Sequence, residues 1–207
     1  MSYFSRLFLF AGLLAVCLIA EKMYKKWSQP GFLLKGERLF AGDYMTFTDP
    51  QYNLGKGDVT IALWIKTVDR RPQMLVQKGG MNGADEPQYW LRINDFHGGL
   101  TFLTGDGDGH SAILSTADQL ADGKWHHIVA VRQGPALRLY VDGYLKGEAI
   151  FPIKDCTTQQ PLILGAQLNN FPHFAFEGAM EEVGIWPWAA SLEEVKSLMA
   201  QTGADCL

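Results

Sequence analysis

Between residues 39 and 186 the chain repeats one pattern, a short apolar alternation followed by a turn pair and then another alternation. The apolar runs are Val59-Thr60-Ile61-Ala62-Leu63-Trp64-Ile65, Tyr89-Trp90-Leu91-Arg92-Ile93, Ile128-Val129-Ala130-Val131, Leu137-Arg138-Leu139-Tyr140-Val141 and Pro161-Leu162-Ile163-Leu164. Gly79-Gly80, Asn94-Asp95, Gly98-Gly99, Asp106-Gly107, Asp122-Gly123 and Asp142-Gly143 lie between such runs. Alternation of period two places side chains on opposite faces of a strand. Asp-Gly supplies the positive φ values that a tight hairpin turn requires. Within this body no helical period appears before Ser191. The pattern predicts an all-β antiparallel sandwich. One short helix closes it: Ser191-Leu192-Glu193-Glu194 reads as a capping box, with Leu192, Val195, Leu198 and Met199 on one face.

The amino-terminal segment obeys a different rule. Leu7 to Ala20 is a run of fourteen uncharged residues, including Leu7, Phe8, Leu9, Phe10, Leu13, Leu14, Val16, Leu18 and Ile19. A membrane-crossing helix wants about 20 residues. Snorkelling Arg6 and Lys22, with Tyr24 and Trp27 at an interface, extend the segment to that length. Residues 1–30 are therefore expected to be a transmembrane anchor with a basic juxtamembrane tail, residues 31–38 a linker, and residues 39–207 the sandwich. A cleaved secretory signal ending at Ala20 and a lipoprotein signal around Leu14-Ala15-Val16-Cys17 are the competing readings.

Charge divides the chain at the same place. Residues 1–38 hold six bases and two acids, so the remainder of the 18 bases and 22 acids is 12 against 20. An acidic body argues against nucleic acid, whose phosphates call for Lys and Arg. Lys22, Lys25 and Lys26 would favour a cytoplasmic body by the positive-inside rule. The body itself favours the other side, for the reasons that follow.

Asp122-Gly123-Lys124-Trp125-His126-His127-Ile128-Val129-Ala130-Val131, followed by Leu137 to Gly143, resembles the signature of laminin G-like, concanavalin A-like domains. Gly57 to Ile65 resembles the early strand of that family, Phe176 to Trp186 its late strand, and Ser191 to Val195 its closing helix. The resemblance spans about residues 40–200. It implies a two-sheet jelly roll with ligands at the rim or on the concave face. Such domains often tie a late loop to the carboxyl terminus, which implies a Cys156–Cys206 disulfide and an oxidising location. That bond would close a loop worth roughly 4 kcal/mol in the chain-entropy model. Cys17, within the apolar run, reads as an inert thiol.

Trp125 reads as a core plug. His126 and His127 point to opposite faces of one strand, so they cannot both ligate one metal. They are expected to be one buried, hydrogen-bonded ring and one surface ring. Some enzymes share the fold, but their Glu-x-Asp-x-Glu pattern is met here only by Glu177, Glu181 and Glu182, with Ala179 in the central place. No cofactor is expected other than calcium, for which Asp106 and Asp108 offer hard oxygens. Asp85 and Glu86 would join them only if the fold brings the loops together. Phe171, His173 and Phe174 in one loop, with Trp188 beyond it, are the candidate partner-binding aromatics. The expected function is a non-catalytic, membrane-anchored binding or scaffolding module. It would serve as an accessory subunit on the periplasmic or extracellular face of a larger membrane complex, respiratory or photosynthetic. A carbohydrate- or matrix-binding receptor is the alternative, and a glycoside hydrolase the weakest reading.

Overall fold

The computed structural model describes residues 31, 34, 38–40, 42–80, 86–94, 98–167, 169 and 171–202. The expected anchor (1–30), Asp85, Asp95 and Cys206 lie outside them. Among the described residues no helix is long and apolar enough to cross a membrane.

The strands in chain order are β1 (Arg38–Phe40), β2 (Met45–Phe47), β3 (Val59–Lys66), β4 (Gln73–Gly79), β5 (Pro87–Ile93) and β6 (Leu100–Asp106). They continue with β7 (Ser111–Ser115), β8 (Trp125–Gln133), β9 (Ala136–Val141), β10 (Tyr144–Ile150), β11 (Leu162–Leu164) and β12 (Ala179–Trp186), and the helix α1 (Leu192–Thr202) follows. The first sheet has the order β1-β12-β3-β8-β9-β10 and the second β2-β11-β4-β5-β6-β7. Every pairing between neighbours is antiparallel. The expected two-sheet sandwich with a short closing helix is what forms.

The alternation read from the sequence decides which side chains fill the space between the sheets. Ile61, Leu63 and Ile65 on β3 and Ile128 and Ala130 on β8 enter the core with Leu91 on β5 and Phe102 on β6. The residues between them face outward yet are also buried: Thr60, Ala62, Trp64, Val129 and Val131. The Thr60 hydroxyl donates to the Trp188 carbonyl (2.7 Å) and accepts the Ala190 N–H (2.9 Å). The segment leading into α1 thus lies across this outer face. Gly184 belongs to the same layer. A Cβ there would sit 2.2 Å from the Trp186 indole, so the ring lies directly over the strand.

The helix starts as its sequence dictates. Ser191 Oγ accepts the Glu194 N–H at 3.3 Å, and a Glu194 carboxylate oxygen accepts the Ser191 N–H at 2.8 Å. Both arms of the box exist. Ser191→Ala should cost about 1 kcal/mol, read as a lower urea midpoint with unchanged slope.

At β9–β10, Asp142 and Gly143 both have positive φ (51° and 77°), the requirement of a two-residue mirror-image turn. The edge strand β10 carries a bulge between Leu145 and Gly147, together with Lys146. Both devices blunt an open edge. Trp125 departs from expectation, being half-buried and outside the core.

Candidate functional site

β3 runs toward Lys66, where β8 and β12 begin, and this end of the sandwich is the rim. Two buried polar side chains build it. Thr67, 2% exposed, donates its hydroxyl to the Glu177 carbonyl (2.5 Å) and accepts the Asp69 N–H (3.0 Å). Its carbonyl accepts the Gly123 N–H at 2.9 Å. Gln73, fully buried, accepts the Glu177 N–H (2.7 Å) and donates to the Asp69 carbonyl (2.8 Å). The two side chains therefore clamp the Thr67–Gln73 loop to the Glu177 loop, and the Thr67 main-chain carbonyl adds the Gly123 turn to the frame. Buried polar groups that are fully paired rigidify their surroundings in this way.

The frame encloses an open depression of about 610 Å³. Gly178 and Ala179 line it, and a Cβ at Gly178 would meet the Lys66 carbonyl at 2.2 Å, so the chain approaches there without a side chain. Val68, 76% exposed, also lines it. The charged members are Lys66, Asp69, Arg71 and Glu177. Arg71 forks onto Asp69 through Nε and Nη2, at 2.8 and 2.5 Å. That hydrogen bonding holds the Asp69 carboxyl below its ordinary range and raises Arg71. Donors and acceptors thus share one rim around a largely apolar surface, the arrangement found in small-ligand sites.

Beside this depression stands His126. Its Nδ1 lies 2.8 Å from Asp142 Oδ2 and its Nε2 lies 3.1 Å from Asp122 Oδ1. Asp142 first, and Asp122 after it, raise the His126 pKa against the opposing effect of burial. His127 faces the other way, 2% exposed and 5.1 Å from the Trp64 ring. Burial pushes its pKa down to about 4, and its Nδ1 has no hydrogen-bond partner. The opposite-face reading of the pair holds, but the hydrogen bonds belong to the more exposed ring.

The other expected site residues are scattered. Phe171 and His173 are exposed. Phe171 meets Tyr44 edge-on at 5.7 Å, and the half-buried Phe174 accepts the Met74 N–H through its carbonyl. Trp188 lies at the far end, half-buried, its ring 6.1 Å from Trp186. Asp106 also lies at the far end. One of its carboxylate oxygens accepts the Asp108 and His110 N–H groups, and Lys154 Nζ reaches the other at 3.2 Å. A calcium ion would have to displace that lysine; among the described residues no group of three or more His, Cys, Asp or Glu could hold a metal. Glu177 stands in the rim, whereas Glu181 is buried within β12, opposite Trp64. Glu177 precedes β12, which begins at Ala179, so strand alternation does not set it on one face with Glu181.

Cys206, the expected disulfide partner of Cys156, lies outside the described residues. Cys156 is a free, fully buried thiol, and its Sγ accepts a hydrogen bond from Arg132 Nη1 at 3.3 Å. It fills the core beneath its loop. Thr67, Gln73, Lys66 and Arg71 were not marked by any motif; only the charged Asp69-Arg70-Arg71 stretch between two apolar runs hinted at a built loop.

A family model described as concanavalin A-like lectin/glucanases superfamily, of laminin G type, matches residues 40–196. Among curated proteins, a Rattus norvegicus protein is 25% identical over 149 residues: sushi, von Willebrand factor type A, EGF and pentraxin domain-containing protein 1. That alignment takes in 68% of this chain and 4% of the relative, so the chain spans a small part of its length. Among solved structures, the CBM40 of Ruminococcus gnavus IT-sialidase bound to alpha2,3 sialyllactose superposes with a TM-score of 0.66 at 18% identity, covering 82% of this chain and 97% of that one. The LG4-5 domains of the mouse laminin alpha1 chain give 0.58 at 17%, covering 79% and 44%. The binding domain of botulinum neurotoxin serotype D gives 0.62 at 12%, covering 83% and 42%. These likenesses establish the shared fold.

Proposed function

The chain belongs to the concanavalin A-like lectin/glucanases superfamily, in its laminin G branch, and from that premise we propose that the sandwich is a non-catalytic lectin-like module that binds a glycan in the rim depression. One observation carries the reading. Lys66 and Arg71, which donate, and Asp69 and Glu177, which accept, line one recess of about 610 Å³. A sugar ring presents hydroxyls that both donate and accept, with apolar C–H faces between them, and a mixed rim of this kind satisfies both. The sialyllactose bound to the Ruminococcus gnavus module supports the ligand class.

Tethering to a membrane through residues 1–30 is part of the same proposal, supported by the uncharged run from Leu7 to Ala20. An accessory role on the outer face of a membrane complex is the second reading, supported by the exposed Tyr44–Phe171 pair.

A glycan array with the wild type, Lys66→Ala and Glu177→Gln tests the site. Each variant removes one charge-assisted hydrogen bond, so affinity for the best-bound glycan should fall about tenfold or more. Equal binding by all three proteins would move the ligand away from the rim. Binding to no glycan would reject the lectin reading and leave a protein partner.

A further inference from the structure

We propose that His126 is a pH-operated latch on the rim: its imidazolium ties the Asp122–Lys124 turn, which carries Gly123 into the depression, to the β9–β10 turn, and loss of its proton lets that wall go.

The inference stands on the geometry of one ring between two carboxylates from two separate turns. Asp122 lies in the loop before β8 and Asp142 in the turn after β9. An imidazolium donates from both nitrogens, whereas a neutral imidazole has one N–H and one lone pair. Only the protonated ring can bind Asp122 and Asp142 at once. The neutral ring keeps one and turns a lone pair toward the other carboxylate, which repels it.

The two ties are unequal. Asp142 is closer, at 2.8 Å against 3.1 Å, and its other oxygen accepts the His127 N–H at 2.9 Å. Asp122 has only local support, from the Lys124 N–H (2.8 Å) and the exposed Lys124 ammonium (3.5 Å). Deprotonation therefore releases Asp122. Gly123, the next residue, hydrogen bonds to the Thr67 carbonyl, and a Cβ there would lie 3.3 Å from Val68. Freeing Asp122 loosens a wall of the depression.

The charged and titratable groups around the ring are few. β8 itself contributes His127, on the opposite face; the preceding loop contributes Asp122, Lys124 and Asp118; the β9–β10 hairpin contributes Asp142 and Lys146; and α1 lays Lys196 against Gly143 of that hairpin. Lys146 is held by Asp118 at 2.8 Å. β3 presents Ile65, the register partner of His126, with Lys66 opposite Trp125. Among these, His126 is the group that changes charge near neutral pH, because His127 stays neutral above about 4. The sign follows from the raised His126 value: the latch is closed below about pH 6.5 and opens as pH climbs through the folded-state value.

The consequence for ligand binding rests on the lectin reading of the rim, but the latch can be read without any ligand. Amide exchange of Gly123 is followed from about pH 5.5 to about pH 9 after correction for intrinsic rates, alongside the His126 ring protons by NMR. Gly123 protection should fall about tenfold as His126 titrates, while amides in the middle of β3 keep theirs. Asp122→Asn keeps the turn residue but removes the charge that the imidazolium holds. It should leave Gly123 weakly protected at every pH and lower the His126 midpoint. His126→Gln should likewise abolish the pH dependence. Gly123 protection that stays constant while His126 titrates would overturn the latch. A glycan that binds Lys66 and Glu177 with no loss of affinity across the same titration would also count against it. Complete failure to bind glycans overturns only the lectin reading, since the exchange experiment contains none.

Discussion

Arg132→Met should lower the melting temperature by roughly 10 °C, the largest single-residue effect expected outside the apolar core. Arg132 lies near the end of β8 and is 2% exposed. Its guanidinium donates to the carbonyls of Gly57 (2.8 Å from Nε), Gly55 (3.0 Å) and Leu54 (3.3 Å), with a further short bond from Nη2 to Gly57. On the other side it reaches the Lys154 carbonyl and Cys156 Sγ, both at 3.3 Å. No carboxylate lies within ion-pair distance among the described residues, so the buried cation is solvated by main-chain carbonyls and the Cys156 sulfur. Methionine would keep much of the volume and strand those carbonyls in a dry site. Each stranded acceptor costs about 1–3 kcal/mol; relaxation of the loops recovers part of this, and a net of about 4 kcal/mol is expected. Arg132→Lys keeps the charge but loses the planar fork, and should fall between the two proteins. Thermal unfolding followed by circular dichroism decides, and a drop of less than about 2 °C for the methionine variant would show that the loops do not depend on this residue.

Acid should weaken the fold through His127. The ring is buried and its pKa is pushed down to about 4 by that burial. The unfolded chain takes up this proton near pH 6.5, so stability is complete above that value and declines as pH falls toward 4. At 1.36 kcal/mol per unit, the interval amounts to about 3 kcal/mol. His126 does not oppose the decline: its raised value means that its contribution is already complete below about 6.5 and is lost only on the alkaline side. The two neighbouring histidines thus limit stability from opposite directions. His127→Phe keeps an aromatic ring against Trp64 and should remove the acid loss that His127 causes. Urea midpoints at about pH 7 and about pH 4.5 provide the comparison. If the variant loses as much stability as the wild type on acidification, another group is responsible.

Some of this architecture was legible residue by residue. Asp142-Gly143 announced a turn that needs two positive φ values, and Ser191 with Glu194 announced both arms of a cap. Strands β3, β5, β8 and β9 were visible because local alternation alone specifies them. β10 was hidden because its Tyr144-Leu145-Lys146-Gly147 stretch carries a bulge and an exposed edge, which erase the alternation. The rim was hidden for another reason. Thr67 and Gln73 bind Glu177, more than a hundred positions away, and no local pattern records such a meeting.

The place of β12 in the first sheet also bears on how the chain can assemble. β1 touches that sheet only through β12, with Arg38 opposite Glu181, and β12 stands between β1 and β3. The hairpins from β8 to β10 can form among neighbours in sequence. Two strands at the sheet's other side must instead wait until almost the entire domain has been synthesised, because closing long loops has to precede the contacts that reward it. Until then β3 keeps an apolar edge open to solvent, and that interval is when a ribosome-bound chain of this kind is most exposed to misassociation.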